Sequence, residues 1–145
     1  MMEVRAAVED DAETMGAIAD APVDAMRNLI HDRSVRVAVD RSAPDPNEDA
    51  GDAGTGDEET LLGFVSFDAR PDAVHVTQVA GTADACERLL GEPIAFARRE
   101  GMAVELLVPD ADDAVQAAAE RVGFDRDGRG PRFEGQATTR FRLEP

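Results

Sequence analysis

V-H-V-T-Q-V-A-G-T-A-D-A-C-E-R-L-L-G-E-P-I-A-F-A-R-R-E-G, residues 74–101, reads as a strand, a tight turn and a helix. Its opening residues alternate in type and are rich in β-branched side chains. Gly81 and Thr82 punctuate them, and Cys86, Leu89, Leu90, Pro93, Ile94 and Ala97 then recur at helical spacing. A strand that enters a helix through so short a turn aims the first free backbone N–H groups of the helix into the turn. Their partial positive charge there suits an anion such as a phosphate. Gly81 to Ala85 is therefore the candidate ligand turn, although Asp84 within it puts a carboxylate where a phosphate binder would use glycine or a cation. Pro93 removes one backbone hydrogen bond and predicts a kink in the helix.

Immediately before this stretch, Leu61–Asp68 and Ala73–Ala80 read as two strands joined by Ala69-Arg70-Pro71-Asp72, a turn-forming sequence that predicts antiparallel pairing. Ser34–Asp40 alternates Val35, Val37 and Val39 against Arg36, Ala38 and Asp40, and Met2–Val8 is a half-buried strand with Val4, Ala6 and Val8 on one face. Between those two, Glu9-Asp10-Asp11 offers caps for a helix carrying Met15, Ile18 and Ala19. Pro22 opens a second helix, whose stripe of Met26, Leu29 and Ile30 ends at His31, where an imidazolium suits a helix C-terminus.

On the other side, Met102–Pro109 is almost continuously apolar and predicts a strand buried on both faces. Asp110 or Asp112 caps a helix with Val115, Ala118, Ala119 and Val122 on one face. Gly123 then supplies the left-handed C-cap, and Phe124 closes back on Ala119. Gly128-Arg129-Gly130-Pro131 breaks the chain, and Thr138–Leu143 alternates as a last strand. The order is β, two helices, three β, helix, β, helix, β. Arg41 to Thr60 interrupts it with no large apolar residue, which predicts a mobile acidic surface loop inside a single domain spanning residues 1–145.

Thirty-one Asp and Glu stand against 15 basic residues, a net charge of −16, and every basic residue is arginine. An acidic, lysine-free chain rich in Ala and Val is similar to cytosolic proteins of salt-in halophiles, whose excess charge is screened at molar salt. A cytoplasmic location is expected, with no signal sequence and no membrane span. Nucleic acid is not an expected partner, because no basic stripe is available to neutralise phosphates. Without lysine there is no Schiff base and no Walker-type phosphate lysine. Without tyrosine there is no phenolic acid, and with one cysteine and two distant histidines no metal site is expected.

The element order resembles the GNAT (Gcn5-related N-acetyltransferase) fold. The family's cofactor segment, V-x-P-x-x-R-x-x-G-x-G-x-x-L-L followed by a helix ending A-x-x-x-G, aligns without a gap when Val76 is set on its valine. Leu89 and Leu90 then fall on the leucine pair, Ala97 on the alanine and Gly101 on the closing glycine. A second segment, a strand followed by N-x-x-A-x-x-x-Y-x-x-x-G-F, falls on Leu106 to Phe124. The resemblance covers most of the chain and identifies it as a divergent member of haloarchaeal type. It implies a mixed, mainly antiparallel sheet of six or seven strands with helices on both faces.

The resemblance also implies acetyl-CoA as cofactor, bound by Val76, Gln78 and the turn Gly81, Thr82, Ala83, Asp84 and Ala85, with acyl transfer to a small-molecule or protein amine. Exposed strand edges in this fold commonly pair into homodimers. At the family's functional positions the chain departs from the pattern. Gly81 replaces the arginine, Asp84 and Cys86 the two glycines, Asp112 the asparagine and Ala119 the tyrosine that often serves as acid toward the departing thiolate. A carboxylate 4 Å from one pyrophosphate charge would oppose it by ~4 kcal/mol at an effective dielectric constant near 20. A degenerate pyrophosphate turn leaves two readings open: an N-acyltransferase, or a non-catalytic module that keeps the scaffold for binding or dimerisation.

His75, just before the matched valine, is a candidate general base, since imidazole titrates near neutrality, or else a strand histidine bonded to a neighbour. Glu105 on the following strand is a second candidate base, or a solvent-facing strand residue. Thr77 shares the face of His75 and is placed to bond the substrate, with Gln78 on the opposite face. Arg129 and Arg132, flanking Gly130-Pro131, suit a carboxylate or phosphate on the acceptor, or pair with Glu134 or Asp127. Cys86, one turn into the helix, reads as a core residue standing where the family has glycine.

Overall fold

The computed structural model describes residues 2–41, 59–132 and 135–144. Seven strands form one sheet: β1 (Met2–Ala6), β2 (Ser34–Arg41), β3 (Glu59–Ala69), β4 (Ala73–Gly81), β5 (Ala103–Pro109), β6 (Asp125–Arg129) and β7 (Thr138–Leu143), in the order β1-β2-β3-β4-β5-β7-β6. Four α-helices complete it: α1 (Ala12–Ala19), entered through a single 3-10 turn at Glu9–Asp11, then α2 (Val23–Asp32), α3 (Ala83–Glu100) and α4 (Asp113–Arg121). Every strand pair is antiparallel except β4 and β5, as a strand-helix-strand crossover through α3 requires.

Strand alternation divides the core in two. Val35, Val37 and Val39 of β2 and Phe64 of β3 join Ala12, Met15 and Met26 beneath α1 and α2. Val65 and Phe67 of β3, Val74 and Val76 of β4, and Val104, Leu106 and Val108 of β5 point the other way, packing with Cys86, Leu89, Leu90, Ile94 and Ala97 of α3 and Val115, Ala118 and Ala119 of α4. Helices therefore cover both faces. Pro93 is buried within α3, which runs unbroken from Ala83 to Glu100. At the far end of the chain's first strand, Arg5 forks onto Asp11 at 2.8 and 2.9 Å while Asp11 also accepts the Val8 N–H at 2.8 Å, fixing the entry to α1.

Three boundaries differ from those expected of the sequence. β1 ends at Ala6, so Val8 is left as an exposed apolar residue before the 3-10 turn. Arg41, Glu59 and Thr60, expected in the loop, belong to β2 and β3, where Arg41 pairs with Glu59 and Asp40 with Thr60. A backbone ladder needs no apolar side chain to continue, so it outruns the hydrophobic pattern; the rest of the expected loop lies outside the described residues. β6, Asp-Arg-Asp-Gly-Arg, carries no apolar residue and is exposed along its length, as an edge strand can be when its ladder bonds alone hold it.

Gly81 closes β4 against Gly63 of β3, its register partner. Its φ is +133°, and a Cβ at this position would meet the Leu62 carbonyl oxygen at 2.4 Å and Gly63 Cα at 2.5 Å, so the site admits no side chain. Gly81→Ala is expected to destabilise the protein by about 2–4 kcal/mol, through left-handed strain and overpacking against backbone. The midpoint of denaturant unfolding measures this, and a loss below about 0.5 kcal/mol would show that β3 and β4 separate freely at this end.

Candidate functional site

β4 and β5 pair over four residues, Ala73 with Ala103 through Val76 with Leu106, and then part. Beyond that point each strand keeps its outer neighbour: β4 stays on β3 as far as Gly81, and β5 stays on β7 as far as Pro109 opposite Thr138. A cleft of about 1010 Å³ occupies the gap, lined on one side by His75 to Ala80 and on the other by Glu105, Leu106, Leu107 and Pro109. Ile18 and Ala19 of α1, Arg70, Asp112, Val115, Gln136, Thr138 and Arg140 complete its walls. The inner-edge backbone groups of both strands are left for a ligand or water to satisfy.

A β-bulge shapes the β4 wall. Phe67 faces Val76 but Ser66 faces Gln78, so Thr77 is the inserted residue. Its hydroxyl bonds the buried Ser66 Oγ at 2.6 Å. Because Gln78 is the register partner of Ser66, the bulge brings Thr77 and Gln78 to the same face of the sheet. This corrects the expectation of opposite faces; strict alternation fails where one residue is added.

The cleft lining stops at Ala80, and Gly81 to Ala85 continue from it into α3. Thr82 is the N-cap, its Oγ1 accepting the Ala85 N–H at 3.1 Å and its carbonyl the Cys86 N–H at 2.9 Å. The Ala83 and Asp84 amides have no hydrogen-bond partner among the described residues. Asp84 is exposed, and its carboxylate accepts no hydrogen bond from the turn among the described residues. Two donors at the positive end of an eighteen-residue helix therefore remain available to an anion.

On the α1/α2 face an ionic row crosses the sheet. His75 and Glu105 are register partners on β4 and β5, with Asp68 beyond His75 on β3 and Arg142 beyond Glu105 on β7. Arg33 holds Asp68. Arg142 donates from Nη1 to Glu105 Oε1 at 2.6 Å and from Nε to Glu144 at 2.7 Å, and these bonds to Glu144 and Glu105 raise its already high pKa. His75 Nε2 is buried and without a hydrogen bond, lying 3.5 Å from Glu105 Oε2 and 3.6 Å from Asp72 Oδ1. Both candidate bases, with Thr77, Val76 and Gln78, thus line one cleft.

Arg129 lies elsewhere, in a depression with Asp110, Gln116, Arg126 and Thr139 on the α4 side, and Arg132 is exposed without lining the cleft. The cationic wall residues are instead Arg70 and Arg140, which nothing in the sequence singles out. Their signals are weak: Arg70 sits in a turn, and Arg140 is one of several charged residues in an alternating strand. Asp112, on the family's asparagine position, caps α4 by accepting the Val115 N–H at 3.2 Å.

No family sequence model matches the chain, and no curated protein matches it by sequence. Solved structures do match it in shape. Arabidopsis thaliana NAA60, solved with a bisubstrate analogue and with acetyl-CoA, superposes with a TM-score of 0.72 at 17% identity, covering 99% of this chain and 98% of that one. The Salmonella typhimurium protein yncA, solved with its cofactor acetyl-CoA, gives 0.67 at 16% identity, over 99% and 93% of the two chains. A GNAT-family acetyltransferase from Bacillus cereus ATCC 10987 gives 0.63 at 14% identity, over 99% and 97%. The chain has the GNAT fold. At such identities the likeness fixes architecture, and no helix among the described residues is long and apolar enough to cross a membrane.

Cys86 is buried on the core face of α3, and burial, helped by the Asp112 carboxylate, pushes its thiol up from 9.0 to about 11. A raised folded-state pKa stabilises the fold below the unfolded thiol's pKa, and that contribution is lost as pH rises through the folded value. Unfolding free energy should therefore fall between pH 9.0 and about 11 in the natural protein, and less in Cys86→Ala. Iodoacetamide at about pH 8 should label Cys86 only after denaturation; prompt labelling of the native protein would show an accessible, reactive thiol.

Proposed function

We propose that this chain is an acyl-CoA-dependent N-acyltransferase of the GNAT superfamily, transferring an acetyl group to an amine. The observation that carries this reading is the parted β4–β5 pair, whose cleft holds the unpartnered His75 nitrogen and is lined along β4 as far as Ala80, from which the chain turns into the two free amides opening α3. Those amides would hold the pyrophosphate, and the exposed inner edge of β4 around the Thr77 bulge would hold the acyl arm. The amine would enter from the α1/α2 face, where His75 and Glu105 stand. His75 Nε2, or Glu105 through a water, takes the amine proton as nitrogen attacks the thioester carbon. Collapse of the tetrahedral adduct breaks the carbon–sulfur bond and releases the CoA thiolate, with catalysis resting on proximity and on the base.

A second reading, a scaffold retained as a binding module, is favoured by Ala119, which stands in the core where the family has its tyrosine and offers no proton. Cofactor binding separates the two. Calorimetric titration of acetyl-CoA in molar KCl should give micromolar affinity. Ala83→Pro should weaken it at least tenfold, about 1.4 kcal/mol for one lost charge-assisted hydrogen bond. Proline suits the first position of a helix, and Thr82 before it is already extended at ψ 158°, so that variant deletes one amide while keeping the turn. No heat and no thermal stabilisation at millimolar acetyl-CoA would remove the transferase reading.

A further inference from the structure

The ionic row on the α1/α2 face contains a grouping that base catalysis does not account for. Asp72, His75 and Glu105 each present one ligand atom, and all three atoms lie within 4.8 Å of one another. They come from three places: Asp72 from the β3–β4 turn, His75 from β4 three residues on, and Glu105 from β5, delivered by the parallel register. Nε2 of His75 is buried between the two carboxylates yet bonded to neither, because 3.5 and 3.6 Å exceed the 2.7–3.2 Å span of an N–H···O bond. Those separations do match a shared ion. Metal–ligand bonds of about 2.0–2.2 Å at tetrahedral angles place neighbouring ligand atoms roughly 3.3–3.6 Å apart.

We propose that Asp72, His75 and Glu105 form a three-ligand site for a borderline divalent transition metal, with Zn²⁺ as its best match. The donor set decides the class: an imidazole nitrogen beside two carboxylates suits zinc and its neighbours, whereas Mg²⁺ and Ca²⁺ take all-oxygen shells. Support from outside the three ligands is present. Arg142 binds Glu105 through Oε1, which turns Oε2 toward His75, and Glu144 anchors Arg142 in turn. The third separation, Asp72 to Glu105, is within 4.8 Å, and Asp72, with its side chain 72% exposed, can swing to close it without disturbing the core. Spacing alone could not show the site, since only Asp72 and His75 are near in sequence and Glu105, a helix and a strand further along, completes it. A bound ion would occupy the His75 lone pair and Glu105 Oε2, so it would silence the base of the proposed transfer reaction. That consequence rests on the transferase reading; the binding does not.

Titration of ZnCl₂ into chelator-stripped protein in molar KCl should show one site of micromolar affinity. His75→Ala, Asp72→Asn and Glu105→Gln should each weaken it at least tenfold, while Glu100→Gln, an equal loss of charge on α3 across the opposite face of the sheet, leaves it unchanged. MgCl₂ should give no saturable heat. Asp72→Asn alters an exposed turn residue and keeps the readout usable if a strand variant folds poorly. Zinc affinity in His75→Ala and Asp72→Asn equal to that of the natural protein, or many weak sites lost in proportion to charge, would overturn the proposal by assigning zinc to the acidic surface. Zinc binding without acetyl-CoA binding would leave the site standing and remove only its regulatory consequence.

Discussion

The parting of β4 from β5 is the constraint on which the rest of the molecule depends. Each strand is hydrogen-bonded along its outer edge for its full useful length, β4 to β3 through Gly81 and β5 to β7 through Pro109, while their inner edges share only four residues. The bulge at Thr77 redirects β4, and the Gly63–Gly81 contact lets β3 follow it closely. Each strand carries its outer ladder with it, so closing the gap would mean bending two paired ladders toward each other. The unpaired inner-edge amides and carbonyls face a space open to a ligand. The same divergence sets the start of α3, so the helix N-terminus and the cleft are products of one geometric event.

Charge is organised differently inside the site and outside it. With 31 acidic residues against 15 arginines, a random surface carboxylate would be unpaired. Across the α1/α2 face, however, acidic and basic side chains alternate: Arg33 on Asp68, then His75 beside Glu105, then Arg142 on Glu105 and Glu144. Such a row depends little on bulk salt, because its members touch and the Debye length at molar salt, roughly 3 Å, is comparable to their separation. Asp84, exposed at the helix terminus, belongs to the other class. Its repulsion toward a bound anion is of the kind that concentrated salt removes.

Periodicity makes the two-layered core legible. Val35, Val37 and Val39 announce one face of β2, and the run from Cys86 to Ala97 announces the buried stripe of α3, because burial is what selects apolar residues at those spacings. β6 leaves no such trace, since an edge strand held by its ladder can be wholly polar. The site is half legible. His75 and Glu105 stand out by chemistry, yet nothing in the spacing of residues 75 and 105 shows that a parallel register sets them side by side. The bulge that turns Gln78 to the face of Thr77 is equally hidden, for an inserted residue is a property of two strands together. Arg70 and Arg140 line the cleft only because strands far apart in sequence converge there.

The proposed transfer reaction would proceed without a phenolic acid at Ala119. Ala119 is fully buried on α4, in the same core cluster as Ala118 and the small Ala85 and Cys86 of α3. A phenol at that position would have to displace this packing, at about 1–3 kcal/mol or more for overpacking a filled core. An alkyl thiol titrates near 8.5, so a thiolate is a tolerable leaving group near neutrality without a donated proton. An attacking ammonium, by contrast, must lose its proton before nitrogen has a lone pair to use. In the proposed transfer reaction, a cleft with two candidate bases, His75 and Glu105, and no phenolic acid would still meet the requirement that chemistry cannot waive.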